Sequence, residues 1–121
     1  MPVRFLSSSV FKWPDSETVA RAAREWAQRL GAQRPEVVRI GYFGSYARGD
    51  WGVGSDLDLI VIVERATAPF EERAAGWDTA ELPVPAEVLV YTQPEWKRLA
   101  GERFRRTVER ETVWVYERAD R

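Results

Sequence analysis

The chain has 121 residues, 45% hydrophobic and 31% charged, which fits one globular domain spanning residues 1–121 and argues against disorder. It contains no cysteine and no histidine, which excludes disulfides, thiolate nucleophiles, iron–sulfur and Cys/His zinc sites, and imidazole acid–base chemistry. A metal here must be held by oxygen ligands, which points to magnesium, manganese or calcium. The net charge of −1 speaks against a general nucleic-acid surface. No apolar run approaches the roughly 20 residues that span a bilayer. Met1 to Trp13 lacks the basic head, apolar stretch and small-residue cleavage site of a leader, so a cytoplasmic location is expected.

No repeat or linker divides the chain. Pro14 and Asp15 open a predicted helix over Asp15 to Leu30, with Val19, Ala22, Ala23, Trp26 and Leu30 in one apolar stripe and Gly31 as its stop. Val37 to Phe43 reads as a strand, followed by a glycine-rich stretch from Gly44 to Gly54. Leu57 to Val63 is an almost unbroken branched apolar run, the mark of a strand buried on both faces, and Ala86 to Tyr91 reads as another of the same type. Between them, Pro69 to Ala80 is expected to form a short helix. Pro94 to Arg110 is expected to be helical, with Trp96, Leu99, Ala100, Phe104 and Val108 on one side and Gly101 as a weak point. Glu111 to Glu117 alternates and adds an edge strand. The sum is a small α/β (α+β) domain with a mixed sheet flanked by helices.

The anomaly is Asp56-Leu57-Asp58 at the head of the most hydrophobic strand, because aspartate is disfavoured in strands. Side chains alternate along a strand, so Asp56 and Asp58 share a face. Two carboxylates about 5 Å apart repel by roughly 3 kcal/mol at an effective dielectric near 20. A shared proton, an arginine or a divalent cation must offset that. With no histidine present, magnesium is the natural reading; a solvated strand end after a Gly-Ser turn is the plain alternative. Gly44-Ser45 follows the preceding strand directly, as though backbone N–H groups at a helix start were to face a phosphate. Glu87 is a lone charge in the next apolar strand, either a third carboxylate beside the aspartates or an edge residue facing water. Arg48 either neutralises phosphate or pairs with Asp50; Trp51 either stacks on a base or packs on its own scaffold.

Gly44-Ser45, ten residues, then Asp56-Leu57-Asp58 resembles the signature of the nucleotidyltransferase superfamily related to DNA polymerase beta. The fuller stretch Phe43-Gly44-Ser45-Tyr46-Ala47-Arg48-Gly49-Asp50 with Gly54-Ser55-Asp56-Leu57-Asp58-Leu59 is similar to the minimal nucleotidyltransferases, the antitoxin-like partners of HEPN-domain proteins. The resemblance implies that Gly44 and Ser45 contact a nucleotide triphosphate and that Asp56 and Asp58 hold two magnesium ions. Glu87 stands where the family has a third aspartate that activates the acceptor hydroxyl, and glutamate is one methylene longer. ATP is the implied substrate.

Larger enzymes of this superfamily carry a further domain that holds the acceptor, and 121 residues leave no space for one. The expected activity is therefore transfer of AMP from ATP to a hydroxyl presented by another protein, a tyrosine of a HEPN-type toxin. One alternative is an inactive module that neutralises a partner by covering it; another is transfer to a small molecule such as an antibiotic. Two surfaces are expected to serve association. One is the basic stretch from Lys97 to Arg110, which also reads as a solvated helix face. The other is the final strand with Trp114 or Tyr116 exposed, which suits a homo-oligomer as well as a partner.

Overall fold

The computed structural model describes residues 13–119, so the leader reading of Met1 to Trp13 falls outside the described residues except at Trp13. In chain order the elements are α1 (Ser16–Gln33), β1 (Val37–Phe43), α2 (Ser45–Arg48), β2 (Leu57–Val63), α3 (Phe70–Arg73), β3 (Ala86–Thr92), α4 (Gln93–Arg98), α5 (Arg103–Glu111) and β4 (Val113–Glu117). The strands form one mixed sheet in the order β3-β2-β1-β4. β1 runs antiparallel to both β2 and β4, and β2 runs parallel to β3.

The sheet separates two apolar clusters. On one face α1 buries Val19, Ala23, Trp26 and Ala27 against Ile40, Leu59, Val61 and Val88. On the other, α4 and α5 lay Trp96 and Val108 over Ile60 and Ile62. Leu57, Leu59, Val61 and Val63 face α1, so the intervening Asp58, Ile60 and Ile62 face α5. That parity decides where the aspartates open.

Several boundaries differ from expectation, each for a physical reason. Asp15 caps α1 as expected, accepting the Thr18 N–H at 2.8 Å. Gly31 does not end the helix, which continues to Gln33. The Tyr116 ring lies on Gly31 and its hydroxyl donates to the Gly31 carbonyl at 3.3 Å, so glycine is there for space. The helix expected over Pro69 to Ala80 stops early, as α3 and a 3-10 turn over Ala74–Gly76. Leaving the helix there lets Trp77 turn inward against Trp26, with ring centroids 6.3 Å apart. The long helix over Pro94 to Arg110 is two helices, α4 and α5, divided where Gly101 adopts φ 85°. β3 is not buried on both faces: it is an edge strand in which Val88, Val90 and Thr92 are buried while Glu87 is exposed.

β4 begins at Val113, because Glu111 is the last residue of α5. Neither Trp114 nor Tyr116 is exposed: Trp114 lies under the Arg39 guanidinium, 3.7 Å from the ring centroid, and of the strand's apolar residues Val113 is the exposed one. The basic stretch from Lys97 to Arg110 is partly absorbed as well. Arg105 folds over the Trp96 ring at 4.8 Å and pairs with Glu109 at 3.0 Å. Among the described residues no helix is long and apolar enough to cross a membrane.

Candidate nucleotide site

β1 delivers the chain to Gly44, whose φ of 79° and ψ of −153° belong to a region reserved almost entirely for glycine. The conformation turns the backbone at once into the four-residue helix α2. A second reason for glycine lies across the strand pair. Phe43 is in register with Asp58 on β2, and a Cβ built on Gly44 would overlap the Asp58 Oδ2 and lie 3.2 Å from its Cγ. The absence of a side chain at Gly44 is thus what lets the carboxylate lie against the backbone. Sequence spacing pairs Gly44 with Asp58; the fold makes them touch.

Asp56 precedes β2 in a short approach held by Ser55, whose Oγ accepts the Gly52 N–H at 2.8 Å. Asp56 is exposed and Asp58 half-buried. Burial raises the Asp58 carboxyl above its ordinary range, and the like charges of Glu87 and Asp56 push it the same way, while Arg48 opposes them. A carboxylate so crowded is poorly solvated and short of positive charge.

Gly44, Ser45, Arg48, Asp56 and Asp58 line one open cavity of about 490 Å³ together with Phe43, Ser55, Phe104, Thr107, Val108 and Glu111. A larger cavity of about 580 Å³ lies at the far ends of β1 and β2, near Val38, Glu64 and Lys97, and lacks the aspartate pair. Five of the seven residues singled out by sequence therefore converge on one cavity, Glu87 and Trp51 being the exceptions. Glu87 is adjacent to it, in parallel register with Asp58, but exposed and not part of its lining. Among the described residues no three acidic side chains are arranged to hold a metal by themselves. The donor set suits a hard cation held by the Asp56 and Asp58 oxygens and completed by water and substrate phosphate, the usual arrangement for magnesium.

Arg48 is held from two sides: its Nε donates to Asp50 at 3.1 Å and its terminal nitrogen reaches Glu111 at 3.3 Å. The pairing with Asp50 thus exists beside an orientation toward the cavity. Trp51 is engaged elsewhere, stacked on Tyr46 with centroids 5.5 Å apart and planes 12° from parallel. Trp13 donates to the Tyr46 hydroxyl at 2.8 Å, so this aromatic group belongs to the scaffold.

Glu111 escaped the reading of the sequence, where it opened the last strand. It closes α5 instead, and its carboxylate accepts the Gly44 N–H at 3.1 Å as well as facing Arg48. The available signal was helical spacing: Phe104, Thr107, Val108 and Glu111 fall on one face at steps of three and four.

A protein from Sulfolobus solfataricus assigned to the nucleotidyltransferases is 20% identical, with a TM-score of 0.59 over 87% of this chain and 90% of that one. A toxin–antitoxin structure with AMP-PNP is 18% identical, with a TM-score of 0.52 over 87% of this chain and 75% of that one. A variant of the toxin–antitoxin pair MntA–HpeT is 18% identical, with a TM-score of 0.50 over 87% and 74%. At these identities the likeness is one of fold. No curated protein matches the sequence. The nucleotidyltransferase domain family matches residues 20–115, spanning α1 to β4 and every residue of the cavity, and the chain belongs to that family.

Proposed function

We propose that the chain, acting as one unit over residues 1–121, transfers AMP from ATP to a hydroxyl on a partner protein, with magnesium as cofactor. The observation that carries this reading is the convergence of Gly44 and Ser45 with Asp56 and Asp58 on one cavity, where Asp58 sits half-buried beside the like charges of Glu87 and Asp56, a setting that suits a cation. Ser45 offers its hydroxyl and, as the first residue of α2, a backbone N–H without an intrahelical acceptor; both suit a triphosphate. Arg48 supplies positive charge at the same wall. Asp56 and Asp58 would hold the magnesium, which when bound neutralises phosphate charge and polarises the reacting phosphoryl group.

In the reaction the acceptor oxygen attacks the α-phosphorus, a new P–O bond forms, and the bond to the bridging oxygen breaks to release pyrophosphate. Glu87, exposed and in register with Asp58 on the neighbouring strand, is the residue we infer to take the proton of the attacking hydroxyl. The toxin–antitoxin relatives of like fold support a toxin as the partner, and a tyrosine of a HEPN-type protein is the acceptor we infer. The net charge of −1 weighs against a nucleic-acid acceptor.

Intact-mass spectrometry of a HEPN-type partner, purified with the chain and incubated with ATP and magnesium, tests this. Added AMP in the wild type and none with Asp56→Asn is the expected result. One observation favours a second reading, a partner-covering module without chemistry: Glu87 lies outside the cavity lining. A stable complex whose mass never changes, even with Glu87→Asp, would establish that alternative.

A further inference from the structure

We infer that Glu111 is a resident anion on the phosphate seat, a side chain that sets nucleotide affinity because it must leave before a phosphate can bind. The inference rests on the nucleotide-binding reading above and extends it. The Glu111 side chain is only 15% exposed and shares the cavity with Asp56 and Asp58, a poor place for a third carboxylate. Its compensation is the Gly44 N–H at 3.1 Å and the Arg48 guanidinium at 3.3 and 3.4 Å. These are the donors that a phosphate entering the cavity needs. Gly44 has one N–H, aimed by a backbone conformation with no ready alternative, so glutamate and phosphate compete for it.

Arg48 has a second carboxylate partner, Asp50 at 3.1 Å, which lies outside the cavity lining. Glu111 is the last residue of α5, and its flexible side chain can swing from the cavity without moving the helix. Its departure leaves Arg48 oriented by Asp50 and the Gly44 N–H open.

The test measures dissociation constants for Mg·ATP, inorganic tripolyphosphate and adenosine in wild type, Glu111→Gln and Glu111→Ala. Loss of a charge-assisted competitor should tighten Mg·ATP and tripolyphosphate by about tenfold and leave adenosine unchanged. The glutamine variant keeps the size of the side chain and covers the case in which alanine fails to fold. Glu109→Gln removes the same charge from the same helix outside the cavity and should give no such gain. Unchanged or weaker binding of Mg·ATP and tripolyphosphate in Glu111→Gln, or an equal gain in Glu109→Gln, overturns the inference while the nucleotide reading stands. No binding of Mg·ATP in wild type or variants overturns both.

Discussion

Replacing Gly44 with alanine should destabilise the protein through two separable effects. The first is backbone strain: φ 79° and ψ −153° cost a residue with a Cβ about 1–3 kcal/mol. The second is collision, since the new methyl would overlap the Asp58 Oδ2 and stand 3.2 Å from its Cγ. Moving that carboxylate aside resembles overpacking and adds about 1–3 kcal/mol. Only the second effect depends on Asp58. A double-mutant cycle over Gly44→Ala and Asp58→Ala, read by urea unfolding without nucleotide, separates them. We expect Gly44→Ala to cost about 2–6 kcal/mol in wild type and about 1–3 kcal/mol in the Asp58→Ala background. Equal losses in the two backgrounds would refute the reasoning, because they would mean that the aspartate does not lie against the glycine.

Two further predictions concern the frame around the site. Glu95, at the start of α4, takes a two-pronged bond from Arg73 at 2.6 and 2.9 Å, and with Thr92 it forms a capping box, so its carboxyl is held at about 2 instead of 4.5. A folded-state value below the unfolded one stabilises above pH 4.5, and that stability is lost as pH falls from there toward 2, an effect of about 1 kcal/mol once solvent screening is allowed for. Glu95→Gln should be less stable than wild type at pH 7 and converge with it through that window; a difference that stays constant with pH would contradict the assignment. Gly31→Ala should lose about 1–3 kcal/mol by driving a methyl into the Tyr116 ring, and Tyr116→Ala should remove most of that penalty. Thermal unfolding of the four proteins reads this out, and a full penalty without the ring would contradict it.

The parts of the fold legible in the sequence are those written in local pattern. The α1 stripe and the apolar run of β2 carry their periods openly, and both were placed within a few residues. Boundaries failed where a distant residue decides. Gly31 looks like a helix stop until the Tyr116 ring, 85 positions away, is seen lying on it. Gly101 carried its own signal as a weak point, yet the kink needed φ 85° to become a break. The apolar Ala86 to Tyr91 run matches a doubly buried strand, and only the sheet order makes it an edge.

The candidate site follows the same rule. Gly44, Ser45, Asp56 and Asp58 are legible because they form one short motif, with ten residues between Ser45 and Asp56, and two strands in register close that gap. Arg48 was visible, but its two carboxylate partners were not both visible, since Glu111 is 63 positions away. Glu87 was placed beside Asp58 by strand pairing, whereas its position outside the cavity depends on where the sheet edge and α5 leave open space.

The central claim is that Asp56 and Asp58 make this cavity a magnesium-dependent nucleotide site. Equilibrium binding of ATP with and without magnesium, in wild type and in the Asp56→Asn, Asp58→Asn double variant, tests it most directly. The account predicts that wild type binds ATP only with magnesium and that the folded double variant loses that dependence and at least tenfold in affinity. ATP binding that is equally strong without magnesium, or unchanged in the double variant, would contradict it.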